Sequence, residues 1–338
     1  MLFFSINTIA QWLKDQGLAN VFPGIIDHLA ADFRRWPDFH KSARHATYYP
    51  DGVIELMPCA DQNYYAFKYV NGHPNNPALG KLNVLGFGVL TDAHTGYPLL
   101  ISEMTLLTAV RTAATAALAA RYLARQDSQR IALIGTGAQA EFVTWALSTQ
   151  YQGCQIHYYD TDPQAMRKYH DNLAASSIPV FPADSIAAAI HGADIIVTAT
   201  AAKCRADLIQ SLMLSPGQCY LGLGGDCPGK TEFSSEVLQQ CKIVVEYLPQ
   251  SLVEGEIQNL GPDSVHAELW ELIAGTKKGR TTPEEITLFD SVGFALEDYS
   301  ILTWLYKLAE NGDICPDSVL AIVPDLADPK DLYGLVKA

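Results

Sequence analysis

Arg130-Ile131-Ala132-Leu133-Ile134-Gly135-Thr136-Gly137-Ala138-Gln139-Ala140 is the stretch that decides the fold. A short apolar run reads as a buried strand, and Gly-x-Gly-x-x-Ala opens directly after it. A helix is expected from about residue 138 to 150, and a second strand, Gln155-Ile156-His157-Tyr158-Tyr159, closes at Asp160. The three make a βαβ unit. Gly135 permits the tight turn, Gly137 lets backbone approach a pyrophosphate, and Ala140 lets the helix pack closely on the strand. Phosphates are favoured at the helix N-terminus, where backbone N–H groups lack partners. Asp160 then suits the ribose hydroxyls of an adenosine and repels a 2′-phosphate, so NAD is expected rather than NADP. The bland alternative for Asp160 is a residue that starts the turn Thr161-Asp162-Pro163.

Outward from this unit, apolar runs at 194–200, 218–223 and 242–246 alternate with helix candidates, the rhythm of a doubly wound parallel sheet. On the N-terminal side the reading is β-rich. Gly52 to Met57 ends at Pro58, Tyr65 to Val70 ends at Asn71-Gly72-His73-Pro74, and Val84 to Leu90 and Pro98 to Ser102 continue the pattern. An Ala-, Leu- and Thr-rich helix is expected over 105–125. Phe294 to Ala309 reads as one long helix and 316–338 as a tail; this C-terminal part is expected to return and cover the N-terminal sheet. The fold class is therefore α/β: a Rossmann-type doubly wound domain over 120–290, and a second α/β domain built from 1–119 and 291–338 that binds substrate and mediates oligomerisation.

The chain has 338 residues, 49% hydrophobic and 18% charged, enough for two modest domains. Its 23 Lys and Arg against 37 Asp and Glu give a net charge of −14, the wrong sign for a phosphate-backbone binder, so no nucleic-acid partner is expected. The acidic excess suits a cationic substrate or simply an acidic surface. Seven Cys without a Cys-x-x-Cys pair indicate neither a zinc ribbon nor a complete disulfide framework. No metal is expected. The N-terminus lacks a basic start, and no apolar run is long enough to span a bilayer, so no membrane association and a cytoplasmic setting are expected.

Three cations lie in or beside apolar segments: Arg44, Lys68 and Arg111. Taken singly, each reads as a snorkelling or salt-bridged residue as readily as a ligand. The strings Lys41-Ser42-Ala43-Arg44, Val53 to Pro58, Phe67 to Pro74, Arg111 to Ala114, Gly224 to Glu232 and Asp290 to Asp298 resemble those of the ornithine cyclodeaminase/μ-crystallin family, and they run through nearly the whole chain. Gly224-Gly225-Asp226-Cys227-Pro228-Gly229-Lys230-Thr231-Glu232 resembles the family's cyclodeaminase branch.

The resemblance implies conversion of L-ornithine, or a related diamino acid, to L-proline and ammonia, with hydride passed to bound NAD and back. It implies that Arg44, Lys68 and Arg111 hold the substrate α-carboxylate, that Glu55 and Asp226 face the amino groups, and that Asp226 is the acid/base. Val292 is implied on the substrate side. Dinucleotide contacts carry over to Thr112, Ala138, Gln139, Asp160, Thr200, Leu223, Gly224, Gly225, Lys230 and Ser291. Asn83 stands where the cyclodeaminases carry Thr; it retains hydrogen-bonding capacity but is longer, which bears on the cofactor contact and on specificity. The resemblance also implies a homodimer. Competing readings are a net amino-acid dehydrogenase or cyclic imine reductase of the same family, and a non-catalytic small-ligand binder of crystallin type.

Overall fold

The computed structural model describes all residues except 202–204, 226 and 338, and the side chain of Pro77. Two eight-stranded sheets organise it. The second, in spatial order, comprises Val180–Pro182, Gln155–Tyr159, Arg130–Ile134, Ile195–Thr198, Cys219–Gly222, Thr287–Asp290, Lys242–Val245 and Val265–Glu268, every pairing parallel. The chain runs outward from Arg130–Ile134 in one direction and resumes beside it at Ile195–Thr198. That reversal is the switch point of a doubly wound sheet, where a crevice opens at the carboxyl ends of the strands. Its central strands are uninterrupted apolar runs because both faces are covered.

The first sheet is mixed, in the order Ser318–Val319, Leu2–Phe4, Pro98–Glu103, Val84–Asp92, Tyr64–Gly72, Gly52–Ala60 and His40–Lys41, with His45–Tyr49 also on Gly52–Ala60. Leu2–Phe4 runs parallel to Pro98–Glu103 and the remaining pairs are antiparallel. One face is buried: Glu55, Met57, Cys59, Ala66, Lys68 and Val70 alternate inward at period two. The strand expected to stop at Pro58 continues to Ala60. His45–Tyr49 pairs only as far as Leu56 and His40–Lys41 begins at Cys59, so Pro58 sits in a gap on that edge where a missing N–H removes no ladder bond.

The expected C-terminal return is present. Helix Ala295–Asn311 packs on the inner face of the first sheet, and Ser318–Val319 pairs with Leu2–Phe4. The approach is close at Gly88, where a Cβ would lie 2.9 Å from both Leu302 and Met104 side chains. The N-terminal part, read from sequence as β-rich, opens with two helices that this reading did not include, Ile6–Gln16 and Leu18–Arg34. Ser5 caps the first by accepting from the Thr8 N–H. The second buries Val21, Phe22, Ile25, Ile26, Leu29 and Phe33, a stripe at helical spacing, against Thr105–Leu123 and Ala295–Asn311. Thr105–Leu123 packs beneath both sheets through its small residues. No helix among the described residues is long and apolar enough to cross a membrane.

Candidate functional site

Four adjacent strands of the parallel sheet end at one edge, and the residues that follow them are those singled out for a dinucleotide. Gly135 leaves Arg130–Ile134 with φ +100°, and a Cβ there would lie 2.5 Å from the Ala199 carbonyl oxygen, so the turn needs glycine twice over. Gly137 and Ala138 are exposed at the start of helix Ala140–Gln150, and a Cβ on Gly137 would meet nothing within 4 Å. Gln139 Oε1 is buried with no hydrogen-bond partner among the described residues. Thr200, then Leu223, Gly224 and Gly225, then Ser291, follow the next three strands. On the other side Asp160 follows Gln155–Tyr159; its Oδ2 accepts from the Thr136 N–H at 2.6 Å and the Thr136 hydroxyl at 3.2 Å. The turn therefore fits a pyrophosphate through its backbone: an open glycine at a helix N-terminus, where nothing would obstruct the approach of an anion.

Three expected cofactor contacts lie off this edge. Thr112 follows Arg111 on helix Thr105–Leu123 and is half-buried, and Lys230 is buried just before strand Thr231–Phe233. Asn83 sits between strands Tyr64–Gly72 and Val84–Asp92, with its backbone carbonyl on the His73 N–H at 2.8 Å. Its Oδ1 is buried with no partner among the described residues.

Beyond Ser291 the chain enters a buried charge cluster that brings the three cations together. Lys68 points inward from its strand and donates to Asp298 Oδ1 at 2.8 Å; Arg111 Nε lies 3.1 Å from the same oxygen, and Arg111 also donates to Glu297. Arg44 Nη1 meets both Glu55 oxygens at 3.2 Å, its Nε lies 3.2 Å from Glu254, and its Nη2 donates to the Val292 and Gly293 carbonyls at 2.5 and 2.7 Å. Glu55, expected to face amino groups, thus neutralises Arg44 here. Gly293, at φ +78°, is where the two arginines meet: a Cβ on it would lie 2.7 Å from Arg111 Nη1. Glu246 anchors this corner, accepting from Ser291 Oγ at 2.5 Å and from the Val292 and Gly293 N–H groups at 3.1 and 2.7 Å.

Burial dominates the electrostatics. It pushes the Lys68 ammonium down to about 8, helped by Arg111 and Arg44 and opposed by Asp298. Burial pulls Arg111 down as well, but Asp298, Glu297 and Glu246 outweigh it and hold the guanidinium above its ordinary value. Burial raises Glu246, and burial together with Glu246 raises Glu297, so this adjacent pair holds on to a proton. Lys68 and Arg111 on one carboxylate oxygen, with Arg44 beside Arg111 at Gly293, can receive a carboxylate in place of the protein's own.

Asp226, the expected acid/base, lies outside the described residues. The sequence reading assigned no role to Glu232, Glu246, Glu254, Glu256, Asp290, Glu297 and Asp298. A usable signal existed for Glu246 and Asp290, acids at the end of an apolar parallel strand; the others are visible only through their distant partners.

The fold and this corner define a doubly wound α/β protein with a phosphate-type glycine turn beside a buried cluster of paired charges. The family profile described as ornithine cyclodeaminase/mu-crystallin matches residues 8–313. An ornithine cyclodeaminase from Agrobacterium fabrum (strain C58) is 45% identical over 334 residues, 99% of this chain and 94% of that protein. Among solved structures, an archaeal alanine dehydrogenase dimer with bound NAD gives a TM-score of 0.86 at 28% identity, over 95% of this chain and 99% of that one. A lysine cyclodeaminase, solved to explain recognition of L-lysine, L-ornithine and L-2,4-diaminobutyric acid, gives 0.87 at 29% identity, over 98% of each. This chain belongs to the ornithine cyclodeaminase/mu-crystallin family.

Proposed function

We infer that this chain is an enzyme that converts L-ornithine, or a related diamino acid, to L-proline or its ring homologue and ammonia, using bound NAD. The observation that carries the reading is that Lys68 and Arg111 share Asp298 Oδ1 while Arg111 and Arg44 meet at Gly293, three residues past the end of strand Thr287–Asp290. The 45% identity to an ornithine cyclodeaminase over 99% of the chain supports it.

When bound, NAD supplies a reversible two-electron acceptor for the Cα–H of the amino acid. The chain's own residues do the rest. Gly135, Gly137, Ala138 and Gln139 receive the pyrophosphate and Asp160 the adenosine ribose; Asn83, Thr112, Thr200, Leu223, Gly224, Gly225, Lys230 and Ser291 complete the cofactor site. Lys68, Arg111 and Arg44 hold the α-carboxylate, which orients Cα; Val292 lines the pocket. Glu55 and Asp226 face the two nitrogens. Asp226 takes a proton from the side-chain ammonium so that a neutral amine can attack the α-carbon, and returns one to the departing ammonia.

The same proposal includes a homodimer. The outer face of the first sheet leaves Leu56, Tyr65, Leu85 and Phe87 exposed, with Phe87 stacked on Tyr69 at 5.1 Å, an apolar patch of the kind a second copy covers. It also includes the division into 120–290 and 1–119 with 291–338, which the two separate sheets support. A cytoplasmic setting agrees with free thiols at Cys59, Cys154, Cys219, Cys241 and Cys315.

The test is incubation with ornithine and catalytic NAD⁺ while proline, ammonia and nicotinamide absorbance are followed together. Proline in molar excess over cofactor, without net NADH, is the expected result. Stoichiometric NADH without proline would replace this reading with the dehydrogenase one, to which the structural likeness to alanine dehydrogenase lends support.

A further inference from the structure

Strands Ile195–Thr198, Cys219–Gly222 and Thr287–Asp290 are neighbours, and three buried carboxylates join them beyond their ends. Glu232 spans the first gap. Its Oε1 accepts from the Thr200 N–H at 2.9 Å and the Thr200 hydroxyl at 2.5 Å, and its Oε2 accepts from the Gly224 N–H at 3.1 Å. Glu256 in turn accepts from the Glu232 N–H at 2.9 Å and the Phe233 N–H at 3.0 Å. Asp290 accepts from the Glu256 N–H at 3.0 Å and the Ile257 N–H at 3.3 Å.

The two glycines owe their identity to these carboxylates. A Cβ on Gly224 would lie 2.2 Å from the Glu232 carboxyl carbon, and one on Gly225 would lie 2.7 Å from Glu256 Oε1. Backbone can come this close only without a side chain.

The geometry points to Glu232 as a positioning residue for the proposed cyclodeaminase site: its carboxylate holds the Gly224-Gly225 segment, which leads in sequence to Asp226, against the Thr200 end of the neighbouring strand. The inference rests on the proposed function only for the reaction that it serves. Glu232 has donors from two strand ends converging on it, and a carboxylate offers acceptors alone. A glutamine of the same shape would turn an N–H toward either Thr200 or Gly224, so an isosteric change becomes a repulsion at one strand end.

The test uses the full chain with Glu232→Gln, Glu232→Asp, Glu232→Ala, Gly224→Ala and the Gly224→Ala/Glu232→Ala double variant. Hydrogen exchange is the readout independent of turnover. In Glu232→Gln the Thr200 and Gly224 amides should exchange roughly tenfold faster while strand Gln155–Tyr159 keeps its protection. In turnover, Glu232→Gln should lower kcat roughly ten- to hundredfold with the KM for ornithine within about threefold, and Glu232→Asp should recover part of it. Gly224→Ala should be severe alone yet add less than about threefold in the Glu232→Ala background, where the carboxylate it would strike is gone. Unchanged exchange at both amides in Glu232→Gln, or Gly224 and Glu232 effects that multiply independently, would overturn the assignment. If the wild-type chain leaves ornithine untouched, the functional reading fails by itself; the exchange rates, and the same cycle read in NAD⁺ affinity and unfolding midpoint, still decide the role of Glu232.

Discussion

Arg111 lies against the backbone of Gly293 so closely that a single added methyl would sit 2.7 Å from its Nη1. Gly293 also has a φ of +78°, so substitution there meets backbone strain and collides with the cation assigned to the substrate carboxylate. Gly293→Ala is therefore expected to lower kcat/KM for ornithine by roughly a hundredfold, because a displaced clamp loses orientation as well as binding. Affinity for NAD⁺, measured by titration, should stay within about threefold. Equal losses in both would remove the link between this glycine and the clamp.

Lys68 sets an upper pH limit. Its folded-state pKa is pushed down to about 8, chiefly by burial and then by Arg111, from an ordinary 10.5. Below that value the ammonium is charged and can pair with a carboxylate; as pH rises through it, the charge is lost. kcat/KM, which reports the free enzyme, should fall on the alkaline side near pH 8, and Lys68→Met should show a lower plateau without that limb. A retained limb in Lys68→Met would assign it to another group. For stability the sign is reversed: the buried charge costs most below pH 8, and the cost is relieved between there and the unfolded pKa.

Glu256 and Asp290 make the fold sensitive to alkali. Burial, then Asp290, raises Glu256 to about 9 from 4.5, and burial raises Asp290 to about 7 from 3.8. Folded, each keeps a proton that the unfolded chain has already released, so stability falls as pH rises between the unfolded and folded values. The slope is at most about 1.4 kcal/mol per pH unit for each group. Glu256→Gln, which mimics the protonated acid, should flatten the fall in urea unfolding midpoint between pH 6 and 8.5. Parallel profiles for variant and wild type would rule Glu256 out as the source.

Much of this was legible in sequence, and the division follows distance along the chain. The unit from Arg130 to Asp160 is local: strand, glycine turn, helix and strand lie within thirty-one residues, each with its own periodicity. Its strand bounds agree with those expected, and the helix begins two residues later, at Ala140. The counter-ions were not legible. Lys68 and Asp298 are 230 residues apart, and Arg111 and Glu297 are 186 apart, so no spacing rule joins them. The helix Leu18–Arg34 did carry a stripe of apolar residues, but Pro23-Gly24 interrupts it with two helix-breaking types, which hides the pattern from a propensity reading.

Asp160 should govern the choice of cofactor. Asp160→Asn keeps an acceptor for the Thr136 N–H, now at 2.6 Å, while removing the charge that faces an adenosine 2′-position. Removing that repulsion should tighten NADP⁺ binding by roughly tenfold and loosen NAD⁺ modestly. The ratio of the two dissociation constants, from fluorescence titration, is the measurement; an unchanged ratio would return Asp160 to the role of a turn residue.

Helix Ala295–Asn311 carries Glu297 and Asp298 in its first turn, so the cations assigned to the substrate carboxylate already have acidic partners of their own. In the proposed clamp, substrate arrival would be an exchange of partners: one carboxylate replaces another at Arg111 and Lys68, with little change in net ion pairing. Such a site is saved from holding bare buried cations while it waits, and its affinity is the difference between two similar states. On the proposed reading, recognition then rests on shape and on the second nitrogen of the amino acid more than on the strength of its charge.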